Sequence, residues 1–314
     1  MKKKAIIISI KGTTLTKNEK LLLSKEKPWG LILFKRNIKS ILQIKNLIKN
    51  IKKITKDKKF LILIDEEGST VSRLKEIINH NFEANYFGKL YKFDKKIATK
   101  LYKNYLKTLC DNLRNIGINI NTIPVLDVLR NNTNDIIGKR SFSNDKDIVR
   151  DLGKITIKEC HLNKIVTVIK HIPGHGCSKV DSHQKMPKVN LNIKTLDAID
   201  FYPFKSTNSK LAMTAHILYS KIDSKNVSTF SKKLIYEIIR KKIGFKGIIM
   251  SDDISMKALK HDLITNAKKS LLAGCNLVLY CAGNIKDNFK LIKSVPYIDQ
   301  FTAKKTSEIY KILR

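Results

Sequence analysis

Eight short runs of aliphatic and β-branched residues recur along the chain: "AIIISI" (5–10), "GLILF" (30–34), "FLILI" (60–64), "ININ" (118–121), "IVTVI" (165–169), "LAMTA" (211–215), "GIIMS" (247–251) and "NLVLY" (276–280). Most are continuously apolar rather than alternating, which marks strands covered on both faces, as in a parallel sheet wrapped by helices. The intervening segments carry a helical period. "KSILQIKNLIKNIKKI" (39–54) spaces its apolar residues three and four apart, and "STFSKKLIYEIIRKKIGF" (228–245) opens on Ser and Thr and closes on Gly244, as amphipathic helices do. Eight β-then-α units, with no linker, repeat or low-complexity tract, predict an α/β fold: a single (β/α)8 TIM barrel over residues 1–314. Two doubly wound domains would need a boundary that the sequence lacks.

A barrel of this kind gathers its chemistry at the carboxyl ends of the strands. The unusual residues fall there: "DEEG" (65–68) after the third run, "PVLDV" (124–128) after the fourth, "KHIPGHG" (170–176) after the fifth, "HILY" (216–219) after the sixth and "DDISM" (252–256) after the seventh. The starts of the strands carry mostly Lys, Asn and Gly.

Charge changes the picture less than its size suggests. The formal net charge is +35, yet only eight of the 62 basic residues are Arg, and the Lys are spread over the whole chain. Specific nucleic-acid recognition favours clustered Arg, so the excess reads as solvated surface and no specific nucleic-acid partner is expected. Five cysteines (Cys110, Cys160, Cys177, Cys275, Cys281) show no paired metal spacing and suit a reducing compartment. The apolar run of "MKKKAIIISIKG" is too short for a signal-peptide core, and no stretch reaches membrane-spanning length. A cytoplasmic protein with no membrane partner, favoured as a monomer, is the expectation.

Three of the seven histidines lie in "KHIPGHGCSKVDSH" (170–183). His171 and His175 are four apart, but Pro173, Gly174 and Gly176 forbid the helix that would align them as metal ligands. No metal is expected. Cys177 has no obvious partner to make it a nucleophile. Asp181 precedes His183 by two residues on a loop bounded by Pro173 and Pro187, and a carboxylate there fixes the imidazole tautomer and favours its charged form. Asp252 and Asp253 end the seventh run; one can cap a helix beginning at "ISMKALK" while the other faces the cavity as a nucleophile. Asp65, with Arg73, Arg140 and Lys170 as donors, suits a polyol or sugar. His171 closes a buried strand and can donate to a ligand at the rim.

These segments, with "PWGLILFKRNI" (28–38), "IDEEG…VSR" (64–73), "GININTIPVLDV" (117–128), "IGKRSFSND" (137–145), "MTAHILYSKID" (213–223) and "AGCN" (273–276), follow one another as in a known family. The chain resembles the bacterial β-N-acetylhexosaminidases of glycoside hydrolase family 3, single-barrel enzymes of peptidoglycan recycling. The resemblance implies a retaining exo-β-N-acetylglucosaminidase acting on GlcNAc-anhydroMurNAc muropeptides, with no cofactor. It implies Asp252 as nucleophile, Asp181 and His183 as acid/base dyad, and Asp65, Arg73, Arg140, Lys170 and His171 as the residues binding the terminal GlcNAc.

The family's "EGGRV" is here "EGSTV", so Ser69 and Thr70 replace a Gly and an Arg, and "LKEIINHNF" replaces an aromatic, proline-rich stretch after Arg73. Both changes bear on leaving-group preference. Alternatives are a phosphorylase using the same site and a metal-dependent amidohydrolase barrel. The latter would want paired histidines after the first strand, where "AIIISIKGTT" has none. A polyanion-binding protein retaining only the barrel is the non-enzymatic rival.

Overall fold

The computed structural model describes residues 2–78, 82–131, 133–134, 137–178 and 186–314. Among these residues run the strands β1 (Lys4–Ile8), β2 (Pro28–Leu33), β3 (Leu61–Ile64), β4 (Ile120–Asn121), β5 (Val166–Ile172), β6 (Lys188–Val189), β7 (Leu211–Thr214), β8 (Leu218–Tyr219), β9 (Ile248–Asp253) and β10 (Leu277–Leu279). Eight close into a parallel barrel in the order β1-β10-β9-β7-β5-β4-β3-β2. Each of the eight apolar runs of the sequence supplies one barrel strand.

The continuous apolar runs have a simple cause. Side chains alternate between the faces of a strand, and both faces are dry here. Ile7, Leu61, Leu63, Val166, Val168, Met213, Met250 and Leu279 fill the lumen. Ile6, Ile8, Ile62, Ile64, Ile169, Ala212, Ile249 and Val278 pack outward against the helices. Those helices are α1 (Lys17–Glu26), α2 (Ile41–Ile54), α3 (Ala84–Phe93), α4 (Lys95–Ile116), α5 (Lys146–Leu162), α6 (Ile193–Ala198), α7 (Leu263–Ala273), α8 (Ile285–Ser294) and α9 (Gln300–Ile312). The segment expected to be helical over 228–245 forms a short turn at Ser228–Phe230 and a wide helix, with π-type bonding, over Leu234–Lys242. Gly244 follows at φ +78°.

Helix α9 closes the amino-terminal end of the barrel. Its Ile309 joins the lumen core, and Thr306 accepts a 2.9 Å hydrogen bond from the indole of Trp29. Among the described residues no helix is long and apolar enough to cross a membrane.

One boundary differs from expectation. The helix after β9 starts at Leu263, capped by Asp262, whose carboxylate accepts from the N–H groups of Ile264 and Thr265. Asp253 instead accepts from Ser255 N, Ser255 Oγ and Cys281 N. It organises a turn and ties it to β10. Ile254, Ala258 and Leu259 are buried in this non-helical segment, and Ile254 and Ala258, four apart, imitate one face of a helix.

Strands β6 and β8 pair in parallel outside the barrel, joining Lys188 to Leu218 and Val189 to Tyr219. Leu218 N donates to Pro187 O at 3.0 Å, and Tyr219 Oη donates to Gly174 O. Both ends of the 174–187 segment are therefore anchored on one dipeptide. Gly174 has φ +140°, and a Cβ at Gly176 would lie 1.7 Å from Val128 O, so the base of this segment admits only glycine at both points.

Candidate active site

Because every barrel strand is parallel, the strand ends carrying acids and imidazoles share one mouth. Asp65 follows β3, Lys170 and His171 lie at the end of β5, His216 follows β7 and Asp252 lies at the end of β9. Asp65 accepts from Arg73 Nη2 at 3.0 Å, from Lys170 Nζ at 3.4 Å and from the Thr122 hydroxyl. Burial alone would push its carboxyl up. The Lys170 and Arg73 charges and the hydrogen bonds outweigh that and hold it well below the usual carboxylate range.

Nothing in the run of acids at 65–67 singles out Glu67, yet it is the hub of the mouth. It receives Arg140 Nε at 2.7 Å and Nη2 at 2.9 Å in a bidentate pair, and Lys170 Nζ at 2.5 Å. Burial raises its carboxyl, and the Arg140 and Lys170 charges overcome burial to set it at about 2. Arg140 and Lys170 are thus buried cations: Arg140 pairs with Glu67, and Lys170 is shared among Glu67, Asp65 and the Thr122 hydroxyl. Glu66 shapes the backbone instead. Its carboxylate accepts from Arg73 N at 2.8 Å and Leu74 N at 3.0 Å, folding the loop that delivers Arg73. Arg73 also lies over the Phe34 ring, 5.2 Å from its centroid.

His171 pairs through Nδ1 with Asp127 Oδ2 at 2.7 Å. Asp127 also accepts from the N–H of His171 and of His175. The sequence marks Asp127 only as one acid of a strand end; its partner lies 44 residues away, which no local pattern reveals. The ring centroids of His171 and His175 are 5.6 Å apart. Burial, helped by the His171 charge, lowers the His175 imidazole to about 4.

Asp252 Oδ1 accepts from the N–H of Asp253 at 2.7 Å. Its charge acts on both His175 and His216, raising the pKa of each against burial. The ring of His216, just after β7, meets the end of β9 that carries Asp252, 3.0 Å from Asp253 O. Asp253 is held above its ordinary value by burial, with the Asp252 charge adding to it. Asp181 and His183 lie outside the described residues. Ser69 and Thr70, the departures from the family pattern, both donate to Glu83 Oε1, tying the β3 loop to the start of α3. The five cysteines are free thiols, with Cys110, Cys160 and Cys275 buried.

A closed parallel barrel with carboxylates, guanidinium and imidazole groups converging on its carboxyl-terminal mouth defines a (β/α)8-barrel enzyme. The model of the glycosyl hydrolase family 3 N-terminal domain matches residues 3–306. The chain is similar to the β-hexosaminidase of Nitrosomonas eutropha, at 31% identity over 88% of this chain and 80% of that protein. It is also similar to the β-hexosaminidase of Actinobacillus succinogenes, at 33% identity over 94% of this chain and 87% of that protein. Among solved structures, NagZ from Neisseria gonorrhoeae in complex with N-trifluoroacetyl-D-glucosamine superposes with a TM-score of 0.90 at 30% identity, covering 98% of this chain and 90% of that one. The chain belongs to glycosyl hydrolase family 3, and it is a glycosidase of the β-N-acetylhexosaminidase type.

Proposed function

We propose that the protein is a retaining exo-β-N-acetylglucosaminidase that releases terminal GlcNAc from peptidoglycan fragments in the cytoplasm. The observation that carries this reading is the position of Asp252 at the end of β9, its carboxylate gripped by Asp253 N–H, at the mouth that also holds the Asp65–Lys170–Glu67–Arg140 network. Free cysteines support the reducing compartment.

In the first step a carboxylate oxygen of Asp252 bonds to the anomeric carbon. The bond to the leaving oxygen breaks, and that oxygen takes a proton from His183. In the second step neutral His183 accepts a proton from water as the water oxygen bonds to the anomeric carbon and Asp252 departs. Asp181 holds the imidazole in the right tautomer. Asp65 and Arg73 bind sugar hydroxyls, and a permanently ionised Asp65 acts purely as an acceptor. Arg140 and Lys170, held by Glu67, supply positive charge at the base of the sugar site, and His171, held through Nδ1, offers Nε2.

Incubation with an aryl β-GlcNAc and with GlcNAc-anhydroMurNAc, followed by NMR of the first-formed sugar, tests the reading. The β-anomer of GlcNAc is expected. Folded protein that releases no GlcNAc would overturn it, and GlcNAc-1-phosphate formed in phosphate buffer would assign phosphorolysis instead.

A further inference from the structure

His216 lies outside the set of residues so far given a role, and it is fully buried against Asp253, the residue that follows Asp252. Its Nε2 is 3.0 Å from Asp253 O, and its Nδ1 is 2.7 Å from Thr229 Oγ1. A carbonyl only accepts, so Nε2 carries the proton and Nδ1 is the acceptor. The Thr229 hydroxyl proton then goes to His216 Nδ1 at 2.7 Å in preference to the more distant Ala215 O at 3.3 Å, and Thr214 Oγ1, 2.9 Å away, donates to Thr229. The chain of hydrogen bonds has a single direction: Thr214 to Thr229 to His216 to the Asp253 carbonyl. Burial keeps the ring neutral, which preserves that direction.

The chain ends on the residue whose N–H grips Asp252 Oδ1 at 2.7 Å. The carboxylate of the same residue is fixed to Ser255 and Cys281. We infer that His216 is a positioning residue: as a neutral Nε2–H donor it immobilises Asp253, and through the Asp253 N–H it sets the direction in which the Asp252 carboxylate faces the sugar. This rests on Asp252 being the nucleophile. Misdirecting a nucleophile slows bond formation while leaving sugar binding intact.

His216→Leu removes the donor, whereas His216→Gln supplies an amide N–H in its place. With aryl β-GlcNAc, His216→Leu is expected to lose at least ~10-fold in kcat with KM within ~2-fold. His216→Gln should recover most of that loss, and Thr229→Val, which leaves the ring but removes its orienting hydroxyl, should fall between them. Crystal structures of the wild type and of His216→Leu should show the Asp252 carboxylate turned away from its wild-type orientation in the variant. Unchanged kcat in folded His216→Leu, no recovery by Gln, or an unmoved carboxylate would overturn the inference; if His216→Leu does not fold, Thr229→Val with unchanged kcat does so. A wild type that releases no GlcNAc would sink the proposed reaction instead, and the carboxylate orientation would then decide the role of His216 alone.

Discussion

Replacing Glu67 by Gln probes the buried charge network directly. The change is nearly isosteric, but it deprives Arg140 and Lys170, both almost wholly buried, of the carboxylate that pairs with each of them. Two routes give the size of the effect. Removing one partner of a buried ion pair costs ~3–5 kcal/mol. A carboxyl moved from 4.5 to about 2 in the folded state corresponds to about 3 kcal/mol of stability at neutral pH. With an unfolding entropy of ~2.1 cal/mol/K per residue over 314 residues, each kcal/mol moves the melting midpoint by about 1.5 °C. Glu67→Gln should therefore melt about 5–8 °C below wild type at pH 7. A folded pKa below the unfolded one stabilises at pH above ~4.5 and is lost as the pH falls through about 2. The gap between the two proteins should accordingly narrow as the pH falls from ~4.5 to ~2. Urea titrations at 25 °C and calorimetry at several pH values measure both effects. A midpoint within about 2 °C of wild type at pH 7, or a gap independent of acid pH, would show that Glu67 is not the charge hub described.

Asp252→Ala should reduce GlcNAc release by ~10⁴-fold with an unchanged melting midpoint, since a carboxylate at the mouth adds little to the core; steady-state assay and calorimetry check both halves. His183→Ala should cost ~10²–10⁴-fold on the disaccharide and far less on a dinitrophenyl glycoside, whose leaving group needs no proton, and equal losses would remove the acid role. His161 and His175 are both held at about 4 by burial, so their neutral forms stabilise the fold above the unfolded value of ~6.5 and that contribution is lost as the pH falls toward ~4. Urea midpoints should decline over this window, and less steeply in His161→Gln. Gly176→Ala would set a methyl group against Val128 O; it should cost ~1–3 kcal/mol and slow turnover by lifting the base of the histidine segment, measurable in the same two assays.

The barrel was legible because both faces of its strands are apolar, so each strand shows as an unbroken run wherever it falls in the sequence. The start of α7 was not, because Ile254, Ala258 and Leu259 are buried without being helical and Asp262, not Asp253, caps the helix. At the mouth, residue types at strand ends marked which side chains share one end of the barrel but not who holds whom. Within "DEEG" nothing local distinguishes Asp65, which faces Arg73, from Glu66, which holds backbone, or Glu67, which binds Arg140. The Glu67–Arg140 pair spans 73 residues and the Asp127–His171 pair spans 44. Such partners are set by the closing of the barrel, which a linear pattern does not encode.

Leu218 and Tyr219 hold both Gly174 and Pro187, so the chain leaves and rejoins the barrel wall at one place. On the reading proposed above, the proton-transferring residues belong to the intervening insert while the carboxylate on β9 stays with the barrel.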